Sequence, residues 1–135
     1  AFGLLQLEHM PHVMQRRAEI DAYYREQLAH VPGITCLPQG HQTVANHSYF
    51  PILVGPEYPL SRDALYEKLK ENGIYARRYF YPFIANFSMY KNLPSADRNN
   101  LSTAYQTTKN VICLPIYPIL EKIQQFNIID KIINP

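Results

Sequence analysis

Gly73-Ile74-Tyr75-Ala76-Arg77-Arg78-Tyr79-Phe80-Tyr81-Pro82 holds the key to this chain's architecture. Asn72-Gly73 before it is a helix stop, and Pro82 ends any ladder it could join. The aromatic-rich residues between read as a strand, Ile74 to Tyr81. A two-residue period predicts Tyr75, Arg77, Tyr79 and Tyr81 on one face, with Ala76, Arg78 and Phe80 on the other. The first face would set a guanidinium among phenols, a surface able to hold phosphate or hydroxyl groups in fixed geometry. The same pattern also suits tyrosines covering a core edge beside solvated arginines, and both readings stand at this point.

Upstream of this stretch, Ser61 is a good N-cap for a helix through Ala64, Leu65 and Leu69 that closes at Asn72-Gly73. Ile34–Leu37 and His47–Val54 read as strands, separated by a polar, turn-rich stretch through Gly40. Residues 1–30 carry Val13, Ile20, Tyr24 and Leu28 at helical steps, with charged residues mostly on the other faces. Pro11 should kink or restart that helix, and Pro32-Gly33 ends it. Downstream, Pro94-Ser95 reads as a helix start, and a helix from about Ala96 to Thr108 precedes a strand, Val111–Leu114. A last amphipathic helix, Leu120–Ile133, follows through Ile123, Phe126, Ile129, Ile132 and Ile133. The order α-β-β-α-β-α-β-α implies an α+β fold, a small and mostly antiparallel sheet packed by helices.

With 135 residues the chain is one domain's worth, and area scaling gives about 7,300 Å² of folded surface. Its 47% hydrophobic and 18% charged content is ordinary globular composition, which excludes disorder, collagen and coiled coil. A net charge of +2 demands neither nucleic acid nor an anionic membrane. No apolar run is long enough for a membrane span, and no leader pattern is present. Cys36 and Cys113, in short apolar runs, read as buried free thiols, which fits a reducing, cytoplasmic setting. Ala1-Phe2-Gly3-Leu4 opens in mid-helix without a cap, so the chain reads as a piece of a longer protein.

There is no glycine-rich phosphate loop, no paired cysteine ligand set and no nucleophile elbow. His9 and His12 lie three apart, but two ligands without a third read as surface histidines rather than a metal site. His47, at the expected strand start, is either structural or a ligand for substrate. Phe83, Phe87 and Tyr90 suit either a pocket floor or a loop packed on the sheet.

Several segments together resemble one family. Ala1–Leu7 followed by Arg16-Arg17 and Tyr23–Leu28, then His47-Ser48-Tyr49-Phe50, Gly73-Ile74 to Pro82, and Leu114-Pro115-Ile116-Tyr117-Pro118 appear in order. They are similar to segments of the sugar-nucleotide aminotransferases of the DegT/DnrJ/EryC1/StrS family. The resemblance implies that residues 1–135 are the C-terminal small domain of a fold type I, pyridoxal-phosphate-dependent enzyme whose N-terminal cofactor domain lies outside this chain. Such enzymes move an amino group from glutamate to a nucleotide-linked keto sugar, here with a likeness to those acting on dTDP-4-keto-6-deoxyhexoses. The resemblance further implies a cytoplasmic homodimer at full length, an inactive fragment alone, and a cofactor held mainly by the other domain. No lysine here matches a Schiff-base motif, so no catalytic residue is assigned. Arg77 and Tyr81 fall on matching motif positions and are expected to face the sugar or diphosphate, with Tyr79 and His47 as lesser substrate-binding candidates. After Tyr81-Pro82, Phe83-Ile84-Ala85-Asn86 replaces the small run ending in His found in many relatives. The alternative from a different class is a stand-alone nucleic-acid- or glycan-binding module using Arg77, Tyr79 and Tyr81.

Overall fold

Ser61 accepts a hydrogen bond from the Ala64 amide at 3.2 Å, and the helix it caps runs Arg62–Glu71 and stops at Asn72. Gly73 follows in the left-handed region (φ 74°), where a side chain would strain the backbone. The same local logic builds the rest of the computed structural model, which describes residues 2–38 and 45–135. The polar turn through Gly40 lies partly outside the described residues. The elements are α1 (Phe2–Leu28), β1 (Ile34–Cys36), β2 (Phe50–Val54), α2 (Arg62–Glu71), α3 (Ser102–Asn110), β3 (Val111–Leu114) and α4 (Lys122–Ile133). Short 3-10 turns occupy Ile84–Asn86 and Pro94–Ala96.

The sheet is antiparallel in the order β1-β2-β3, with Ile34 opposite Val54 and Ile52 opposite Ile112. The register puts Ile34, Phe50, Ile52, Val54, Ile112 and Leu114 on one face. That face meets Ile20, Tyr24 and Leu28 of α1, Leu65 and Leu69 of α2, and Ile128, Ile129 and Ile132 of α4 in a single core. Tyr24 anchors α1 by donating to the Pro115 carbonyl at 3.0 Å, and Tyr58 anchors α4 by donating to the Ile132 carbonyl at 2.7 Å. Pro51 is tolerated in the middle strand because β1 ends opposite Ile52, leaving Pro51 flanked by one strand only. The result is the α+β layer that the element order implied.

Several boundaries differ from the sequence reading. Ile74 to Tyr81 is not a strand: the Ile74 amide donates to Leu69 and the Ala76 amide to Ile74, so local turns consume donors that a ladder would need. A single bridge remains, with Arg77 and Cys113 exchanging backbone hydrogen bonds of 2.9 and 2.8 Å. The strand expected from His47 begins at Phe50, because His47 is left-handed (φ 48°) and the Ser48 amide donates to the Asn46 side chain. Pro11 neither breaks nor restarts α1; the Leu7 carbonyl that loses its donor belongs to an exposed turn. The helix expected from Ala96 begins only at Ser102, after the Pro94 turn and a further turn closed by Asp97.

In α4 the buried residues are Gln125, Ile128, Ile129 and Ile132, whereas Ile123, Phe126 and Ile133 of the expected stripe are exposed. A Glu121–Gln124 capping box sets its start. Asp21, assigned to a polar face of α1, is buried and held by Arg25 Nε at 2.6 Å. Both cysteines are free, but only Cys113 is fully buried. They lie on β1 and β3 with β2 between, roughly 9.5 Å apart by strand spacing, too far for a disulfide.

Candidate functional site

The Arg77–Cys113 bridge holds Arg77 at the sheet's edge, opposite the loop that follows β3. A cavity of about 540 Å³ opens there, lined by Arg17, Ser48, Tyr49, Tyr75, Arg77, Cys113 and the Leu114–Tyr117 run. Its wall holds two guanidinium groups, a serine hydroxyl and three phenols, with no carboxylate. Arg77 is exposed and makes no ion pair among the described residues. Such a wall is suited to an anionic or hydroxyl-rich ligand.

Arg77 and Tyr49 also line a second hollow of about 490 Å³ with Tyr66, Ala76, Arg78, Tyr79, Phe80 and Tyr81. Here the side chains form a layered stack. The Arg78 guanidinium lies 4.3 Å from both the Tyr66 and Tyr81 ring centres, and Arg62 lies 5.4 Å from Tyr81 on the same system. Arg78 is further held by Asp63 at 3.1 Å. Arg62 is buried, donating to the Thr108 and Val111 carbonyls at 3.0 Å each, with Asp63 at 2.9 Å from its Nε. The stack fixes the Tyr81 ring while leaving more than half of that residue exposed.

Tyr79 packs on Tyr49 with ring centres 5.0 Å apart and stacks on Phe80 at 4.0 Å. Burial first, and the Tyr49 hydroxyl second, hold its phenol above the usual tyrosine range. Burial likewise pushes the Cys113 thiol up to about 11, against the pull of the Arg77 charge. Both groups are therefore neutral donors at neutral pH.

The four residues singled out from sequence are thus distributed unequally. Arg77 reaches both hollows, while Tyr79 and Tyr81 line the second. Tyr81 does not share a strand face with Arg77, because the segment is no strand; it belongs with Arg78, the residue assigned to the opposite face. His47 lines neither hollow: its side chain is 14% exposed, with Nδ1 3.4 Å from Asp21. Arg17, Ser48, Tyr49 and Tyr117 were not singled out. Arg17 had a signal, since it sits three residues before Ile20 and seven before Tyr24, on the stripe that α1 buries. Among the described residues no group of His, Cys, Asp and Glu could hold a metal ion, and His9 and His12 are exposed.

Comparison with known proteins points one way. The chain is 47% identical over 122 residues to the dTDP-4-amino-4,6-dideoxy-D-glucose transaminase of Escherichia coli, covering 90% of this chain and 33% of that protein. It is 30% identical to the dTDP-4-dehydro-2,3,6-trideoxy-D-glucose 4-aminotransferase of Saccharopolyspora spinosa, across 97% of this chain and 32% of that one. Among solved structures, the sugar aminotransferase Spr1654 of Streptococcus pneumoniae in its PLP form superimposes with a TM-score of 0.84 at 27% identity, over 98% of this chain and 33% of that chain. DesV of S. venezuelae, in complex with a ketimine intermediate, also gives 0.84 at 25% identity, over 96% and 33%. The chain spans about a third of the length of the curated relatives it matches. The sequence profile of the DegT/DnrJ/EryC1/StrS aminotransferases matches residues 1–133, and this chain belongs to that family.

Proposed function

We propose that this chain is the C-terminal small domain of a pyridoxal-phosphate-dependent aminotransferase that moves an amino group from glutamate to a nucleotide-linked keto sugar of the dTDP-4-keto-6-deoxyhexose class. The observation that carries the reading is the 47% identity to a dTDP-4-amino-4,6-dideoxy-D-glucose transaminase across nine-tenths of the chain. The alternative of a stand-alone nucleic-acid- or glycan-binding module gains no support from these relatives. A cytoplasmic homodimer belongs to the same proposal. The exposed apolar residues along the first turns of α1 support a surface that is covered in the working protein.

Among the described residues no lysine sits in a seat for the cofactor. All six lysines lie at the surface: Lys68 donates to the Asn134 carbonyl, Lys70 and Lys131 pair with Glu67 and Asp130, and Lys91, Lys109 and Lys122 are exposed. None is enclosed with the carboxylate and phosphate donors that pyridoxal phosphate requires. This domain's part is to bind and orient the sugar nucleotide. In this reading the Arg77 guanidinium meets the sugar or diphosphate, and the Tyr79 and Tyr81 hydroxyls meet sugar oxygens. His47 stands beyond them and acts through the loop it braces against Asp21.

The test is made on the gene product at its natural length. It should be yellow, lose that colour on borohydride reduction, and carry the reduced adduct on a lysine outside residues 1–135. A colourless protein with no borohydride-sensitive chromophore would overturn the reading. Arg77→Ala should lower kcat/KM for the sugar nucleotide by roughly 1–3 kcal/mol, the range for a lost charge-assisted hydrogen bond. Unchanged kinetics would remove Arg77 from the site.

A further inference from the structure

Among the described residues Arg17 Nε, like His47 Nδ1 and Arg62 Nε, is shut off from solvent with no hydrogen-bond partner, and unlike those two it has no carboxylate within ion-pair distance. Desolvating a guanidinium nitrogen without an acceptor is costly, so an orphaned one in a native structure points to an acceptor outside the described residues. Its surroundings say what that is. Tyr24 ties α1 to the Pro115 carbonyl, so Arg17, two turns earlier on the same helix face, comes down over the loop after β3. Arg17 and Pro115 both line the 540 Å³ cavity, as does Arg77, which reaches it from the opposite element.

The wall around the two cations is made of neutral donors, Ser48, Tyr49, Tyr75 and Tyr117, and no lining residue is acidic. A lone phosphate needs one such fork. Two guanidinium groups carried by separate elements, α1 and the Arg77 segment, suit a longer anion with acceptor oxygens at both ends.

We propose that Arg17 and Arg77 form a two-guanidinium clamp for the diphosphate of the substrate. The identity of that ligand rests on the aminotransferase reading above. Arg17 is thereby a substrate-binding residue of the domain, supplied by the helix that Tyr24 ties to the same loop. The clamp also accounts for the free state of Arg77, whose charge is left without a carboxylate where Arg62 and Arg78 each have Asp63.

Calorimetric titration of the full-length protein with inorganic pyrophosphate and, separately, inorganic phosphate tests this. Wild-type protein should bind pyrophosphate at least tenfold more tightly than phosphate. Arg17→Gln should weaken pyrophosphate binding tenfold or more, and Arg17→Lys, which keeps the charge but loses Nε, should fall between. Far-ultraviolet circular dichroism checks that α1 is intact; if Arg17→Gln fails to fold, Arg17→Lys and Arg77→Gln carry the comparison. Lys109→Gln, an exposed cation on α3, should change nothing.

Pyrophosphate binding unaffected by both Arg17 variants would overturn the clamp. Equal affinity for phosphate and pyrophosphate would overturn the assignment to a diphosphate, and point to a single phosphate such as that of a cofactor. The functional reading is judged separately, by whether glutamate alone changes the visible spectrum of the wild-type protein. A chromophore that responds to glutamate while Arg17 proves irrelevant sinks only the clamp.

Discussion

The two ends of α1 show two regimes in one helix. In its C-terminal half Ile20 and Tyr24 are 0% exposed and Leu28 is 1%. In its first turns Phe2 is 75% exposed, Leu4 70% and Leu7 65%. The residue types are alike, and the difference is what lies opposite: the sheet and α4 for one half, and for the other no covering layer among the described residues. The same split recurs in α4, where Ile129 and Ile132 are buried while Ile123 and Phe126 face outward across from Arg16 and Tyr23. The accessible surface, 9285 Å², is roughly a quarter above the ~7,300 Å² expected for a compact monomer of this mass. One region is a finished core, and the other is an apolar surface left exposed.

The largest effect that tests this contrast lies in the core. Ile112 is fully buried opposite Ile52, with helices over its face of the sheet. Ile112→Ala removes three methyl or methylene groups from a close-packed site and should cost about 3 kcal/mol, read from urea unfolding midpoints. A cost below about 1 kcal/mol would mean that this face is loosely packed, and the contrast between the regions would fail.

Arg62 sharpens the comparison at the border between them. Its side chain is buried between the α3–β3 corner, where it caps two carbonyls, and the ring of Tyr81. Arg62→Ala should lower stability by about 2 kcal/mol, because both carbonyls lose a charged donor and the aliphatic stem leaves a gap. It should also free the Tyr81 ring, raising the sugar-nucleotide KM of the full-length protein. A stability loss with unchanged KM would detach Tyr81 from the site.

How much of this was legible beforehand differs with the range of the interaction. Ser61, Asn72-Gly73 and the run Val111–Leu114 act within a few residues of themselves, so the α2 boundaries and β3 could be read directly. The Gly73–Pro82 segment could not, since its ladder depends on where β3's edge ends and on donors taken up by Leu69 and Ile74. Periodicity placed Arg77 and Tyr81 on one strand face; they do line one hollow, but Tyr81 is held there by a stack with Tyr66, Arg78 and Arg62, which no local pattern encodes. Arg17 was hidden for a related reason. An arginine on an apolar stripe looks like a stray charge until a cavity from the loop after β3 is seen beneath it.

The cysteines offer a graded probe of the sheet's two faces. Cys113 is buried under the Arg77 bridge with its thiol held up to about 11, whereas Cys36 is partly exposed at the edge strand. At neutral pH iodoacetamide should therefore modify Cys36 first, with Cys113 protected until the chain unfolds. The folded pKa is raised, so the neutral thiol's contribution is fully present below the unfolded value near 9. It is lost as pH rises toward 11, because only the unfolded chain gains a thiolate there. Stability should fall by up to about 2 kcal/mol across that window, an order-of-magnitude figure from the shift. Replacing Cys113 with Ala should reduce that slope, leaving the share of Cys36 and Tyr58, which burial also raises, and an unchanged slope would assign it wholly to those groups.

The smallest effect on stability belongs to the exposed half of α1, and there its smallness is the point. Leu5 is 52% exposed in the first turns of α1, so Leu5→Ser removes little buried area. The unfolding free energy of the 135-residue chain should change by less than about 0.5 kcal/mol, the range for surface substitutions. Its association should change far more. Phe2, Leu4, Leu5 and Leu7 cluster within two turns, and apolar patches of that kind drive self-association when left in water. Sedimentation should show the parent chain associating as its concentration rises, and Leu5→Ser shifting it toward the monomer. A monomeric parent chain would show that these side chains find shelter within their own fold, and a stability loss near that of Ile112→Ala would show that they already pack. Either result would merge the two regimes into one, whereas weak destabilisation with reduced association keeps them apart and marks this half of α1 as an interface.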